Sequence, residues 1–139
     1  MLKREKNILL EKSEDFAGRI VKMYQYLTVE KKEFILSKQV FRSGTSIGAN
    51  LTESRNAQST SDYIHKQNIA LKEADETAYW LKNLYKGGYL NEKEYLSISQ
   101  DCDELIKMLV TSIKTLKQKT GEALGHYIFI FVPEVEHIA

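Results

Sequence analysis

Gln39, Ser43, Ser46, Asn50 and Glu53 recur at steps of four, three, four and three. On a helix they share one face, with Val40, Ile47, Leu51 and Ser54 forming a second stripe beside them. Hydroxyls, an amide and a carboxylate in this arrangement contain the parts of a nucleophilic site. A serine nucleophile needs a base within reach, however, and neither histidine nor lysine lies on the stripe, so no catalytic residue is assigned. Two uses remain. One is a buried hydrogen-bond network that fixes helix register, with Gln67, Glu73 and Thr77 of the following helix as partners. The other is a surface that receives a partner. Arg42 and Arg55 bracket the segment and could clamp a carboxylate or a phosphate at two points. An intramolecular pair of such an arginine with Glu53, Glu73 or Glu76 is the preferred reading.

Gly44 and Gly48 lie four apart in the same segment. A glycine inside a helix costs about 1 kcal/mol relative to alanine, so close approach of another backbone is expected at both, within the bundle or between subunits. Di-metal carboxylate chemistry takes a glutamate from each of two helices and a Glu-x-x-His pair from each of two others. The chain offers Glu53, Glu73 and Glu76 but a single Asp62-x-x-His65, with His126 and His137 far along the chain. No metal and no cofactor is therefore expected, and no glycine-rich phosphate loop is present. Cys102 is the sole cysteine and reads as a buried small side chain. Tyr63, Tyr79 and Trp80 could stack on bases if they faced outwards, but aromatic residues at helical spacing read first as core or interface.

These side chains must be carried by helices, and the apolar spacing says which. Leu9, Ser13, Phe16, Ile20, Tyr24 and Leu27 mark a first helix, widened by Ala17 and Val21, with a polar connection from Thr28 to Lys32. The second is expected from about Glu33 to Ala57, followed by the capping-rich Ser59-Thr60-Ser61-Asp62. The third runs from about Asp62 to Lys86, with Ile64, Gln67, Leu71, Ala74, Ala78, Leu81 and Tyr85 on its inner side. Gly87-Gly88 ends it and Asn91 opens the fourth, whose seam runs through Ile98, Cys102, Leu105, Leu109, Ile113 and Leu116. Short connections make successive helices antiparallel neighbours. The expected fold is all-α, an up-down-up-down four-helix bundle over residues 1–120, followed by a short extended tail over 121–139. In that tail Tyr127 to Val132 are six consecutive apolar residues that read as strand, docked on the bundle or on a neighbouring subunit.

The charged fraction of 28% and hydrophobic fraction of 42% are those of a folded, soluble protein, and no run is apolar enough for a membrane span. The charged first residues lack a signal core, so a cytoplasmic location is expected. Net charge is +1, which argues against a dedicated nucleic-acid binder. Residues 1–60 nevertheless hold 11 Lys and Arg against 7 Asp and Glu, while residues 61–139 hold 9 against 12. Arg19, Lys22, Lys38, Arg42 and Arg55 are the candidate nucleic-acid contacts on the basic half.

The run LSKQVFRSGTSIGANLTES followed by DYIHKQNIALKEADETAYWLKNL resembles the four-helix-bundle family of proteins encoded in intervening sequences of bacterial 23S ribosomal RNA. The likeness covers about residues 7 to 119. It is strongest at Leu36, Gln39, Arg42, Ser43, Ser46, Ile47, Asn50 and Glu53, then at Ala70, Glu73, Glu76 and Trp80. It implies an antiparallel bundle assembled as a ring of five. A related branch, the accessory proteins of diversity-generating retroelements, consists of basic pentamers that engage RNA and a reverse transcriptase. The near-neutral charge here departs from that branch, and Arg42 and Asn50 carry over only as motif residues of unassigned role. The resulting expectation is a non-enzymatic homo-oligomer that acts near RNA or a nucleic-acid-associated protein. The alternative is a scaffold with a polypeptide partner and no nucleic-acid role.

Overall fold

The computed structural model describes residues 7–120, and the extended tail expected over 121–139 lies outside them. Four helices follow one another: α1 (Ile8–Val29), α2 (Leu36–Ser54), α3 (Thr60–Lys86) and α4 (Glu92–Lys119). Three of them start where a short polar side chain frees the backbone from searching for acceptors. The side chain of Asn7 accepts from Leu10 N–H at 3.1 Å, and that of Ser59 from Asp62 N–H at 3.0 Å. Asn91 and Glu94 form a reciprocal capping box at the head of α4.

The second helix begins differently from the expectation. Glu33 precedes α2 rather than opening it, and its carboxylate accepts the N–H groups of Ile35, Leu36 and Ser37 at 3.0, 2.8 and 2.7 Å. A negative charge at a helix start also complements the positive end of the helix dipole. The acid is 8% exposed, so this carboxylate is part of the interior and not a solvated loop residue. The helix stops at Ser54 instead of Ala57. After α3, Gly88 takes the left-handed conformation at φ 83°, which glycine adopts without strain.

Adjacent helices pack in the cyclic order α1–α2–α3–α4, with α4 closing onto α1 and, among the described residues, no close backbone approach across the diagonals. The α2–α3 seam is the most extensive and α1–α4 the lightest. Phe16, Ile20, Leu27, Val40, Ile47, Ala74, Leu81, Leu105 and Leu109 form a continuous core. On α3 the expected Ile64, Gln67, Ala74 and Leu81 are inside, joined by Ala70, Thr77 and Leu84. Of the other expected inner residues, Leu71 and Ala78 are half-buried against the core, and Tyr85 lies at the surface, stacked on Tyr95 at 4.6 Å. On α1, likewise, Met23 is buried whereas Val21 is exposed.

Both helical glycines of α2 face α1. A Cβ at Gly44 would lie 2.8 Å from Ile20 Cγ1, and one at Gly48 would lie 3.3 Å from Ser13 Oγ. The expected approach of a neighbouring backbone is found inside the bundle at Gly48, where Ser13 O would lie 3.5 Å away, whereas at Gly44 the crowding comes from the Ile20 side chain. Cys102 is buried, as expected, and its thiol donates to the Ala74 carbonyl at 3.4 Å. Burial pushes that thiol up to about 12.

Candidate functional site

The α2–α3 seam gathers the polar residues singled out by their spacing. Its register is fixed by Ser43 opposite Thr77 and by Glu53 opposite Lys66. Thr77 Oγ1 lies 2.8 Å from Ser43 Oγ and 2.7 Å from the Glu73 carbonyl oxygen. Each hydroxyl has one proton, so Ser43 can donate to Thr77 while Thr77 donates to the carbonyl. This fully buried pair is the part of the seam that behaves as an internal network.

The rest of the stripe is at the surface. Gln39, Ser46 and Asn50 are partly exposed and Glu53 is exposed. Ser46 Oγ donates to the Arg42 carbonyl at 2.6 Å, and Asn50 Nδ2 donates to the Ser46 carbonyl at 2.9 Å. These side chains thus satisfy themselves on their own helix one turn back. Gln67, expected as a partner for the seam, turns instead to α4 and accepts from Ser112 at 2.7 Å.

Arg42 sits at the centre of the face. Its guanidinium donates to Glu73 at 3.3 Å and to Glu76 through the second nitrogen. Glu76 also accepts from Trp80 Nε1 at 3.0 Å. The Trp80 hydrogen bond, followed by that from Arg42, holds the Glu76 carboxyl below its usual range, and Glu76 in turn raises Arg42. The preferred intramolecular pairing of Arg42 is what the geometry has, with both Glu73 and Glu76. Towards the other end of the seam, Lys66 Nζ lies 2.8 Å from Glu53, whose hydrogen bond raises the lysine. Nothing local in the sequence pointed to Lys66, because its pairing spans two helices, whereas Glu76 and Trp80 are four apart on α3, a spacing that does place them together.

The five candidate basic contacts do not converge. Arg19 faces α4, where it donates to Asp101 at 2.7 Å and to Ser97 Oγ at 2.9 Å. Arg42 faces α3, on the opposite side of the bundle. Lys22, Lys38 and Arg55 are exposed on three separate stretches of α1, α2 and the α2–α3 connection. The α2–α3 face itself interleaves Arg42 and Lys66 with Glu53, Glu73 and Glu76, giving charge recognition of both signs. No base lies within hydrogen-bond reach of Ser43 or Ser46 among the described residues. Among those residues, no three His, Cys, Asp or Glu side chains gather as a metal site. No helix there is long and apolar enough to cross a membrane.

The family described as 23S rRNA-intervening sequence protein matches residues 5–111, a span that contains α1, α2, α3 and most of α4. The chain belongs to this family. The chain is also similar to a solved structure, a protein of unknown function from the S23 ribosomal protein family of Bacteroides thetaiotaomicron. That protein shares 51% identity and superposes with a TM-score of 0.76. The match covers 77% of this chain and 99% of that one. No curated protein sequence matches the chain.

Proposed function

We propose that this member of the 23S rRNA-intervening sequence protein family is a non-enzymatic, self-associating bundle that acts as a binding or scaffolding component near RNA or a ribonucleoprotein. The observation that carries the reading is the family match over residues 5–111, since its description ties these bundles to a segment of ribosomal RNA. Assembly into a ring, with five copies as the expected number, supplies what one chain lacks. Lys22, Lys38 and Arg55 are dispersed on a single bundle, but a cyclic assembly repeats each of them around a common axis. Modest single contacts then act together through their effective concentration. The α2–α3 face, polar and self-satisfied, fits a contact surface better than a reaction site.

Titration of the purified, nucleic-acid-free protein with a structured ribosomal RNA fragment tests this at about 50 and 200 mM salt, the range over which phosphate-driven binding collapses. Tight binding that weakens by orders of magnitude is expected, with loss on replacing Lys22, Lys38 and Arg55 together. Absence of binding at both salts refutes the RNA reading. One specific observation favours the second reading, a scaffold for a polypeptide: Arg19 and Arg42 are already engaged by carboxylates and are poor phosphate ligands. A salt-insensitive complex with a polypeptide would support it.

A further inference from the structure

The exposed apolar side chains of the bundle are not spread evenly. Where α1 turns into α2, Val29, Phe34 and Ile35 are 63, 61 and 75% exposed within one short connection. That connection is fixed. Glu33 N–H donates to the Leu27 carbonyl at 2.9 Å, and Ser37 Oγ donates to the Glu33 carbonyl at 2.8 Å. The Glu33 carboxylate takes the N–H groups of Ile35, Leu36 and Ser37. Anchored on this buried acid, the turn holds Phe34 and Ile35 outwards instead of letting them fold onto the core. The antiparallel register brings the α3–α4 connection to the same end. Arg42 meets Glu76 and Ser43 meets Thr77, so the first turn of α2 lies level with the last turn of α3. Lys31 and Lys32 of the first connection, Lys38 of α2, Lys82 and Lys86 of α3 and Lys93 of α4 therefore surround this end. All six are exposed, and among the described residues none of them is in an ion pair. Of the glutamates here, Glu33 and Glu94 are engaged in helix caps, which leaves Glu30 and Glu92. Elsewhere Lys12, Arg19, Arg42 and Lys66 each face a carboxylate.

We propose that this end of the bundle seats on an anionic lipid surface, with Phe34 and Ile35 entering the headgroup boundary and the lysines facing lipid phosphates. Charge and shape together select this occupant. A second copy meeting this end with its own would set lysines against lysines. Nucleic acid would reward the lysines but not Val29 and Ile35, which have no π-face on which a base can stack. Side chains exposed by three-quarters at the tip of a tight turn project from the surface, whereas a docked peptide helix or strand asks for a groove or a sheet edge. A lipid surface takes both parts of the patch. Apolar side chains enter the boundary of the acyl chains, while lysine stems lie along it and keep their ammonium groups at the phosphates. Among the described residues no helix is long and apolar enough to cross a membrane, so the contact is peripheral. The inference goes beyond the RNA reading above and does not rest on it.

Vesicle flotation of the full chain tests the proposal, with phosphatidylcholine alone and with about 30% phosphatidylglycerol added to make the surface negative. Binding about tenfold tighter to the anionic vesicles is expected. Phe34→Ser with Ile35→Ser should weaken it by about tenfold, because the apolar contact is lost. Lys31→Gln with Lys32→Gln and Lys86→Gln should erase the preference for anionic vesicles; Lys38, which the RNA reading uses, stays in place. All five positions are exposed, so helical circular dichroism should be unchanged in both variants. An environment-sensitive dye supplies the position of the contact. With Cys102→Ser to remove the native thiol, a dye on Ile35→Cys should shift to the blue on adding anionic vesicles, and one on Ile8→Cys at the opposite end should not. No binding to anionic vesicles, binding that survives both sets of substitutions, or a shift at Ile8 and none at Ile35 overturns the proposal. If Phe34→Ser with Ile35→Ser lowers the particle mass in sedimentation without vesicles, the cluster joins copies of the chain and the proposal is overturned as well.

Discussion

Three glycines in helices provide a graded test of how α1 and α2 are packed. An alanine Cβ at Gly18 meets nothing within 4 Å, whereas at Gly44 it lies 2.8, 3.0 and 3.1 Å from three carbons of Ile20. Ordinary contact starts near 3.4 Å, so Gly44→Ala must displace a fully buried isoleucine on the facing helix. Removing a helical glycine gains about 1 kcal/mol of propensity at either site. That gain is common to both variants and cancels in their difference, which isolates the overpacking cost of about 1–3 kcal/mol. Gly18→Ala should therefore raise stability by about 1 kcal/mol, and Gly44→Ala should fall below it by about 1–3 kcal/mol. Gly48→Ala, with a 3.3 Å approach to Ser13 Oγ, should lie between them, and Gly48→Leu should unfold the bundle. Urea unfolding followed by helical circular dichroism and Trp80 fluorescence reads all four, compared at one protein concentration so that any association enters every midpoint alike. In an Ile20→Ala background, the carbons that crowd Gly44 are gone, so Gly44→Ala should there become stabilising, a coupling visible in a double-mutant cycle. If Gly44→Ala and Gly18→Ala stabilise the native chain equally, the close contact of α1 with α2 is wrong.

Glu33→Ala should cost about 1–2 kcal/mol, in the upper part of the range for lost helix caps, because three N–H groups lose their acceptor. Denaturant unfolding measures this, and a loss no greater than that of a surface Glu→Ala change refutes the capping role. The Cys102 thiol, pushed up to about 12 and buried, should resist iodoacetamide at pH 8 in the folded chain and react at once in denaturant. Rapid labelling of the native protein would contradict its burial. Glu76 is held below its ordinary range, so the sign is fixed: its stabilising contribution is present above the usual carboxylate pKa and fades as pH falls through the lowered folded value. Because the pair with Arg42 is substantially exposed, Glu76→Gln should cost under about 1 kcal/mol at neutral pH and flatten the acid limb of a pH–stability curve. A variant with the same acid limb as the parent rules this out.

Periodicity and short capping residues made most of the fold legible. Ser59 and Asn91 act where a polar residue precedes an apolar stripe, and the α3–α4 boundary follows from Gly87-Gly88. The head of α2 was not legible in that way, because a glutamate cap acts from outside the helix and lies beyond the usual set of short cap residues. On α3, Ile64, Gln67, Ala74 and Leu81 were legible as inner residues, but Leu71, Ala78 and Tyr85 were chosen where Ala70, Thr77 and Leu84 are buried, because steps of three and of four are equally helical. Only the tight approach of α2 decides between the two stripes. At the candidate site, spacing placed Thr77 among the possible partners of the seam and Glu73 and Glu76 among those of Arg42. It could not show that Ser46 and Asn50 bond to their own helix or that Gln67 turns to α4, since both depend on which way a helix is rotated.

The composition of α2 explains why its neighbours matter so much. Ser, Thr, Asn and Gly fill nearly half of this helix, including Ser43, Gly44, Thr45, Ser46, Gly48 and Asn50 in one run of eight positions. At about 0.5 kcal/mol for each polar residue and about 1 for each glycine, that run alone loses about 4 kcal/mol of propensity relative to alanine. An isolated segment of this length would not hold a helix, so its conformation depends on docking between α1 and α3. The same small residues make that docking close: glycines admit Ile20 and Ser13 of α1 on one side, and the Ser43 hydroxyl meets Thr77 of α3 on the other. Weak local preference and tight packing therefore have one origin. Loss of either neighbour should remove the helix as a whole, and unfolding that begins at α2 should be cooperative with the rest of the bundle and not confined to the segment that carries the candidate site.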